Sequence, residues 1–511
     1  MLIFLTQHLL ILEEENAGLC RFILGFTPAI SITFVPLGQN TAYPKRFLRR
    51  MHKKNNEVNK VVLMAVTMTS NFFNPLMGAA VNIALPKISG EFSLDAIAMS
   101  WVTMAFLLAS AVCLVPLGKI GDMLGRKKIF LYGNIFFMLA TFMCAFSYSG
   151  YFLIFSRLLQ GIGSAMMFST SMAIIISAFP PNERGKVIGL NVAAVYVGLS
   201  AAPILGGLLT QTLGWRSLFF INAAVSMLII FAIIFKIKAE WIESINEKFD
   251  WLGTLIYMPS MAALMYGFSK LPDTIAIIYT LGGIVGLITF VFVELKEPFP
   301  VLNMKLFFEN KVFASSNLSA FINYSAVFAV SFVLSLYLQY AKHLSPKDAG
   351  LVLITQPLLM ALVTVFSGRL SDKINPHWLA SSGMAIGVMG LLMLTFIEKE
   401  TSQSFIVVAL AILGFGFGLF SSPNTNMLMS SVDRNFYGVA SATLSTMRAT
   451  GMMFSMAIAS LSVHLFVGEQ TINDTNIESF IHSSKVIFMV FTLLCVVGVF
   501  ASLVGKKLVK K

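Results

Sequence analysis

The sequence predicts an all-α integral membrane protein with about fourteen transmembrane helices. Three observations predict it. Of 511 residues, 57% are hydrophobic and 12% charged, whereas a soluble domain carries roughly 25% charged residues. The apolar runs are about 20 residues long, enough to cross a ~30 Å hydrocarbon core at about 1.5 Å per residue. Lysine and arginine concentrate in alternate loops. One water-soluble core cannot hide this much apolar surface, but lipid can cover it. Helices are the expected spanning form because each satisfies its own backbone hydrogen bonds. The alternating strands of about ten residues that build outer-membrane barrels are not visible.

Spans are expected at 61–83, 97–118, 128–147, 151–179, 186–211, 215–237, 251–269, 274–293, 313–340, 349–370, 377–396, 403–431, 437–467 and 480–504. With residue 60 placed in the cytoplasm, 20 basic residues fall in cytoplasmic segments and 7 outside. That bias predicts an even number of spans and cytoplasmic ends on both sides of the chain. The net charge of +12 is then a topology signal facing anionic lipid, and no nucleic-acid partner is expected. The cysteines Cys20, Cys113, Cys144 and Cys495 are scattered without ligand spacing, so neither a metal site nor a disulfide framework is expected.

Residues 1–57 fit the layout poorly. They are expected to be either a marginal extra helix or, preferably, a stretch upstream of a true start at Met51. The remaining organisation is a six-helix bundle over 58–240, two inserted helices over 241–311, a second bundle over 312–505 and a basic tail at 506–511. A faint repeat supports this division. Span 2 ends in Gly118, Lys119 and Asp122, and span 10 ends in Gly368, Arg369 and Asp372 with the same spacing.

Several strings carry chemistry. In the loop Gly118-Lys119-Ile120-Gly121-Asp122-Met123-Leu124-Gly125-Arg126-Lys127-Lys128, the glycines allow a tight turn and Asp122 can pair with Arg126. Such a charged latch could be made and broken as a cavity changes side. Arg157 lies inside span 4 with Gln160, Gly161 and Gly163. An arginine there costs about 2.5–3.5 kcal/mol on insertion scales and needs a partner or a wet cavity. Span 5 holds Gly198, Ala202, Pro203, Gly206 and Gly207, small residues for close packing and a proline for a kink.

These strings resemble signatures of the major facilitator superfamily, and in particular of its fourteen-span drug/proton antiporters (EmrB/QacA type). The first is similar to Gly-x-x-x-Asp-x-x-Gly-Arg-Lys, the second to Arg-x-x-Gln-Gly-x-Gly, and the third to Gly-x-x-x-Gly-Pro-x-x-Gly-Gly with Ala202 at one glycine. Trp215-Arg216-Ser217-Leu218-Phe219-Phe220-Ile221-Asn222 and Val81-Asn82-Ile83-Ala84-Leu85-Pro86 match the same group. The resemblance implies a major facilitator fold of two six-helix bundles plus two inserted helices. It implies gating by Gly118, Asp122, Gly125, Arg126 and Lys127, a proton relay through Arg157 and Gln160, and exporter character from span 5.

One position departs. The antiporters carry an acid in span 1 where this chain has Met77, and all 24 acidic residues fall in tails, loops or span ends. No buried acid is therefore expected. Asp122, Asp372 and His464 remain as proton-carrier candidates, with proton coupling implied by the resemblance alone. Asn82, Gln356, Asn424, Asn426 and Arg448 are candidate cavity residues among abundant methionine and phenylalanine, including Met427, Met429, Met452, Met453 and Met456. Flexible Met-rich surfaces accept varied apolar ligands.

The expected function is proton-coupled export of small hydrophobic or amphiphilic substrates across the cell membrane by alternating access. The expected partners are that substrate, protons and the lipid bilayer, and the chain is expected to act as a monomer. Transport of one specific metabolite and a non-transporting sensor are the alternatives. No cofactor, metal or enzymatic activity is expected.

Overall fold

The computed structural model describes residues 59–243, 247–371, 373–432 and 437–504, all of which belong to one compact unit. The tail 1–57, Cys20, Asp372, Arg434 and the lysines of 506–511 lie outside the described residues. Among the described residues every regular element is a helix. The helices are α1 (Lys60–Phe92), α2 (Ala96–Leu124), α3 (Arg126–Ala145), α4 (Gly150–Ala178), α5 (Pro181–Thr212), α6 (Arg216–Lys236), α7 (Trp251–Ser269) and α8 (Thr274–Glu294). After a single turn at Lys305–Glu309 come α9 (Lys311–Ala341) and α10 (Pro346–Ser371). The last four are α11 (Pro376–Leu394), α12 (Gln403–Ser430), α13 (Tyr437–Val467) and α14 (Ile477–Val504).

By length and composition, 13 of these are apolar enough to cross a membrane. The one that falls short is α7, the seventh expected span. It is 19 residues long, but Trp251, Thr254, Tyr257, Pro259 and Ser260 dilute its apolar character. α7 pairs closely with α8, where Gly283 admits the backbone of Leu264 and Gly267 the backbone of Thr280.

Capping residues set most helix starts. Asn59, Asp95, Ser149, Asp250, Asn310, Ser345 and Ser402 each accept an amide proton from the first turn. Prolines inside α1, α2, α5, α7 and α12 each leave one carbonyl without its helical donor. In α1, Pro86 frees the carbonyl of Asn82.

α1–α6 pack mainly on one another, as do α9–α14. The α7–α8 pair leans on both groups through α2 and α13. Trp101 of α2 stands 5.7 Å from Tyr266, and Phe454 of α13 stands 5.2 Å from Phe268, between ring centres. The outer side of α8 exposes Ile278, Val285, Ile288 and Phe292, as a lipid-facing surface does.

Two ends of the molecule can be told apart. The near face carries Lys60, Asp122 and the end of α4, where Lys60 pairs with Glu183 at 3.0 Å. The far face carries Phe92, Ala96 and the start of α4.

Candidate functional site

At the near face the α2–α3 loop is held by residues after α6 that the sequence motifs do not mark, 240–243 and 247. Arg126 is 5% exposed. It donates to Asp122 at 2.6 Å, to Ser177 and Glu243 at 2.5 Å each, and to the Ala173 carbonyl at 3.2 Å. The main chain joins in, Arg126 N to Trp241 O at 2.9 Å and Glu243 N to Asp122 O at 3.1 Å. Lys127 N donates to Glu240 at 2.8 Å, and Lys119 pairs with Glu247. Gly125 has φ of +118°, a left-handed conformation that favours glycine. A Cβ there would also strike the Glu240 carboxyl at 2.7 Å.

The structure thus brings together Asp122, Gly125, Arg126 and Lys127, with Gly118 facing Ser169 of α4, where an added Cβ would stand 3.4 Å from the serine side chain. It adds Glu240, Glu243 and Glu247, whose signal was a run of acids in an otherwise basic set of loops. The second-half counterpart, Gly368, lies against Ser422 of α12.

Arg157 is fully buried among α2, α3 and α4. Its Nε donates to Val102 O at 3.1 Å and its Nη1 to Gln160 Oε1 at 2.5 Å, and Gln160 donates onward to Thr141 at 2.7 Å. The guanidinium stands 4.4 Å from the centre of the Phe106 ring. Among the described residues no carboxylate pairs with it. Two hydrogen bonds and the ring face hold this charge, while Nη2 is buried without a hydrogen-bond partner.

The far face is closed by uncharged contacts between the two helix groups. Ser335 of α9 donates to the freed carbonyl of Asn82 at 2.9 Å, and Gln339 donates to Ile83 O at 3.1 Å. Ser100 and Ser460 share a hydrogen bond of 2.8 Å, and Ala96 N reaches Gln470 O at 3.0 Å. The span 5 motif divides its work. Gly198 and Gly206 press on Phe72 and Ala80 of α1, while Pro203 and Gly207 meet Gly350 and Pro346 of α10.

Between the two groups a cavity of about 440 Å³ opens at the near face. Leu114, Phe168 and Met172 line it with Lys119, Asp122 and Arg126, and Thr446 comes from α13. None of the five candidate cavity residues is part of its wall. Asn82 is bound to Thr103 at 2.7 Å, close to the far-face contacts. Gln356 is buried where α10 packs on Gly414. Asn426 is exposed and donates to Ser371 at 2.5 Å.

Asn424 and Arg448 belong to a polar cluster at mid-height. Asn424 donates to Ser316 O at 3.1 Å, and Arg448 to Thr425 at 2.7 Å. Arg448 also faces the Tyr324 ring at 5.6 Å. There Tyr196 of α5 and Ser421 of α12 share a 2.5 Å hydrogen bond across the two groups. Met453 and Met456 are fully buried core residues. His464 is half-buried, with Nδ1 lacking a partner.

The expectation that no acid is buried is corrected. Asp250 is 5% exposed and Glu294 1%. Both sit at helix ends in the sequence, as expected, but the pairing of α7 with α8 covers them.

A helical membrane protein whose two helix groups meet at one face, beneath a shallow surface pocket between Lys87 and His343, and part around a cavity at the other has the build of a solute transporter. The chain belongs to the Major Facilitator Superfamily, whose profile matches residues 67–296 and 316–510. It is similar to the riboflavin transporter RibZ of Clostridioides difficile, 28% identical over 445 residues, spanning 86% of this chain and 96% of that one. It is 29% identical over 389 residues to the multidrug resistance protein Stp of Mycobacterium tuberculosis, covering 74% and 71% of the two chains. With the multidrug transporter protein MdtP of Bacillus subtilis it is 27% identical over 414 residues, covering 80% and 76%. A bacterial homologue of the human lysosomal transporter Spinster, solved inward-facing and unoccupied, has the same fold. Its TM-score is 0.63 at 17% identity, over 88% of this chain and 96% of that one.

Proposed function

We propose that this transporter is a proton-coupled exporter of hydrophobic or amphiphilic small molecules, acting as a monomer in the cell membrane with both ends in the cytoplasm. The observation that carries the reading is the span 5 stretch around Pro203, similar to the antiporter signature, which forms the contact between helix groups at the closed face. Relatives named as multidrug proteins support it. In this reading the near face is cytoplasmic, because the basic loops lie there. The bundles 58–240 and 312–505 rock about the mid-height cluster.

Arg126 already holds Asp122 with the cavity open on the near face. Closure of that face then requires new contacts from the α2–α3 loop to the start of α13, whose residues 439–446 stand across the cavity. Asp372 would serve the matching loop of the second bundle. Arg157 and Gln160 would position or relay a proton within the first bundle.

The test is purified protein in liposomes. Several unrelated hydrophobic dyes should move against their gradients when a pH difference is imposed, and indifference to all of them would reject the reading. A second reading, transport of a single metabolite, draws on the riboflavin transporter relative and on the polar Arg448–Tyr324–Asn424 cluster. Movement of riboflavin with no response to dyes would favour it.

A further inference from the structure

The two inserted helices contain two buried acids that no step above uses. Asp250 caps α7, its Oδ1 accepting the Gly253 amide at 2.7 Å. Glu294 ends α8, its Oε2 accepting the Leu302 amide at 3.4 Å. Their remaining oxygens, Asp250 Oδ2 and Glu294 Oε1, are buried and have no hydrogen-bond donor. Both border the same point, since a Cβ on Gly253 would collide with each. The two carboxyl groups lie within hydrogen-bonding reach of each other.

Among the described residues neither acid forms an ion pair with Lys, Arg or His. The titratable groups nearby are Lys248, Lys296 and Glu297, two or three residues away along the chain, with both lysines exposed, Tyr257, two turns along α7, and Cys113 of α2 beside it. α13 meets α7 through Phe454, and the 295–304 segment presents the amides of Val301 and Leu302. Two carboxylates so placed, without a cation and out of water, cannot both stay ionised. One proton between them converts two facing acceptors into a donor and an acceptor.

We propose that Asp250 and Glu294 form a proton-binding pair, with one proton held between Oδ2 and Oε1, and that this pair carries the proton exchanged for substrate. The proposal rests on the exporter reading and supplies what α1 lacks, where Met77 is fully buried and apolar. Thr254 Oγ1 and Tyr257 Oη, also buried and without partners, follow Asp250 on the same side of α7 at positions i+4 and i+7. They extend the polar file from the pair toward the membrane interior.

Loss of the proton leaves two adjacent negative charges, which push the near-face ends of α7 and α8 apart. Residues 298–303, tied to Glu294 through Leu302, are part of the cavity wall beside Asp122 and Arg126. The charge of the pair therefore reaches the gate.

The experiment is infrared difference spectroscopy on the full chain in liposomes, combined with dye transport. The wild type should show the carbonyl band of a protonated, buried carboxyl that shifts in heavy water. Both Glu294→Gln and Asp250→Asn should lose it. Glu294→Gln keeps the shape and donates to Asp250. It should retain dye exchange down a dye gradient while losing pH-driven dye movement by about tenfold or more. Absence of the band in the wild type from about pH 5 to about pH 9, or full pH-driven transport by Glu294→Gln, overturns the proposal. A wild type that shows the band but couples no dye to pH rejects the exporter reading, and with it the coupling role, while leaving the proton site intact.

Discussion

The two faces of the molecule are held by different chemistry. At the far face the helix groups meet through glycines, serines and main-chain carbonyls, with contacts that run from one group to the other, while its ion pairs Arg216–Glu91 and Lys485–Glu398 each stay within one group. At the near face, among the described residues, the ionic contacts stay within α1–α6 and the segment that follows, and the second group is tied by neutral bonds such as Asn426 to Ser371. Ionic contacts among partly wet groups tolerate rearrangement and are screened by salt. Close neutral contacts are lost within a fraction of an ångström. The far face therefore acts as a tight closure that is either made or broken, and the near face as a charged rim already assembled before any closure across the cavity.

Three substitutions break or sharpen this contrast. Arg126→Ala leaves Asp122 and Glu243 without their shared donor. It should cost about 2–3 kcal/mol, read as a lower melting temperature in detergent. Arg126→Lys should recover only part of that, because an ammonium cannot make the same fork. Equal stability of Ala and wild type would remove the ionic account of the near face.

Gly350→Val places a side chain against the Pro203 carbonyl, and overpacking of this kind costs about 1–3 kcal/mol. The far-face-open population should rise by roughly five- to a hundred-and-fiftyfold. Labelling of Ser100→Cys by an impermeant thiol reagent, in a chain without its native cysteines, should speed up accordingly, at low and high salt alike. Glu243→Gln should have the smallest effect, below about 1 kcal/mol, since that side chain is 59% exposed. High salt should erase the difference. A salt-independent loss would place Glu243 among the tight contacts instead.

Much of the fold could be read from the sequence because apolar runs of spanning length need no tertiary information. α7 was legible to the residue, 251–269, although Trp251, Tyr257, Pro259 and Tyr266 make it less apolar than the other spans. In the site, Asp122 and Arg126 were legible from spacing because an i,i+4 pair is a local relation. Glu243 was not, since nothing local ties a residue 117 positions away to Arg126.

The burial of Asp250 and Glu294 was hidden for the same reason. Each is at a helix end, where acids are ordinarily wet, and only the pairing of two helices encloses them. Asn426 went the other way. It is polar among apolar residues and so looked like a cavity group, but its position on α12 turns it outward to Ser371.

Pro86 gives the far face one further property. Without an amide proton at that position, the Asn82 carbonyl has no helical donor to return to, and Ser335 is what satisfies it. When the two groups part, that oxygen must find water at once or remain bare. Hydration of a single main-chain atom is thus built into the opening step, and the rate of opening should follow how readily water reaches Asn82.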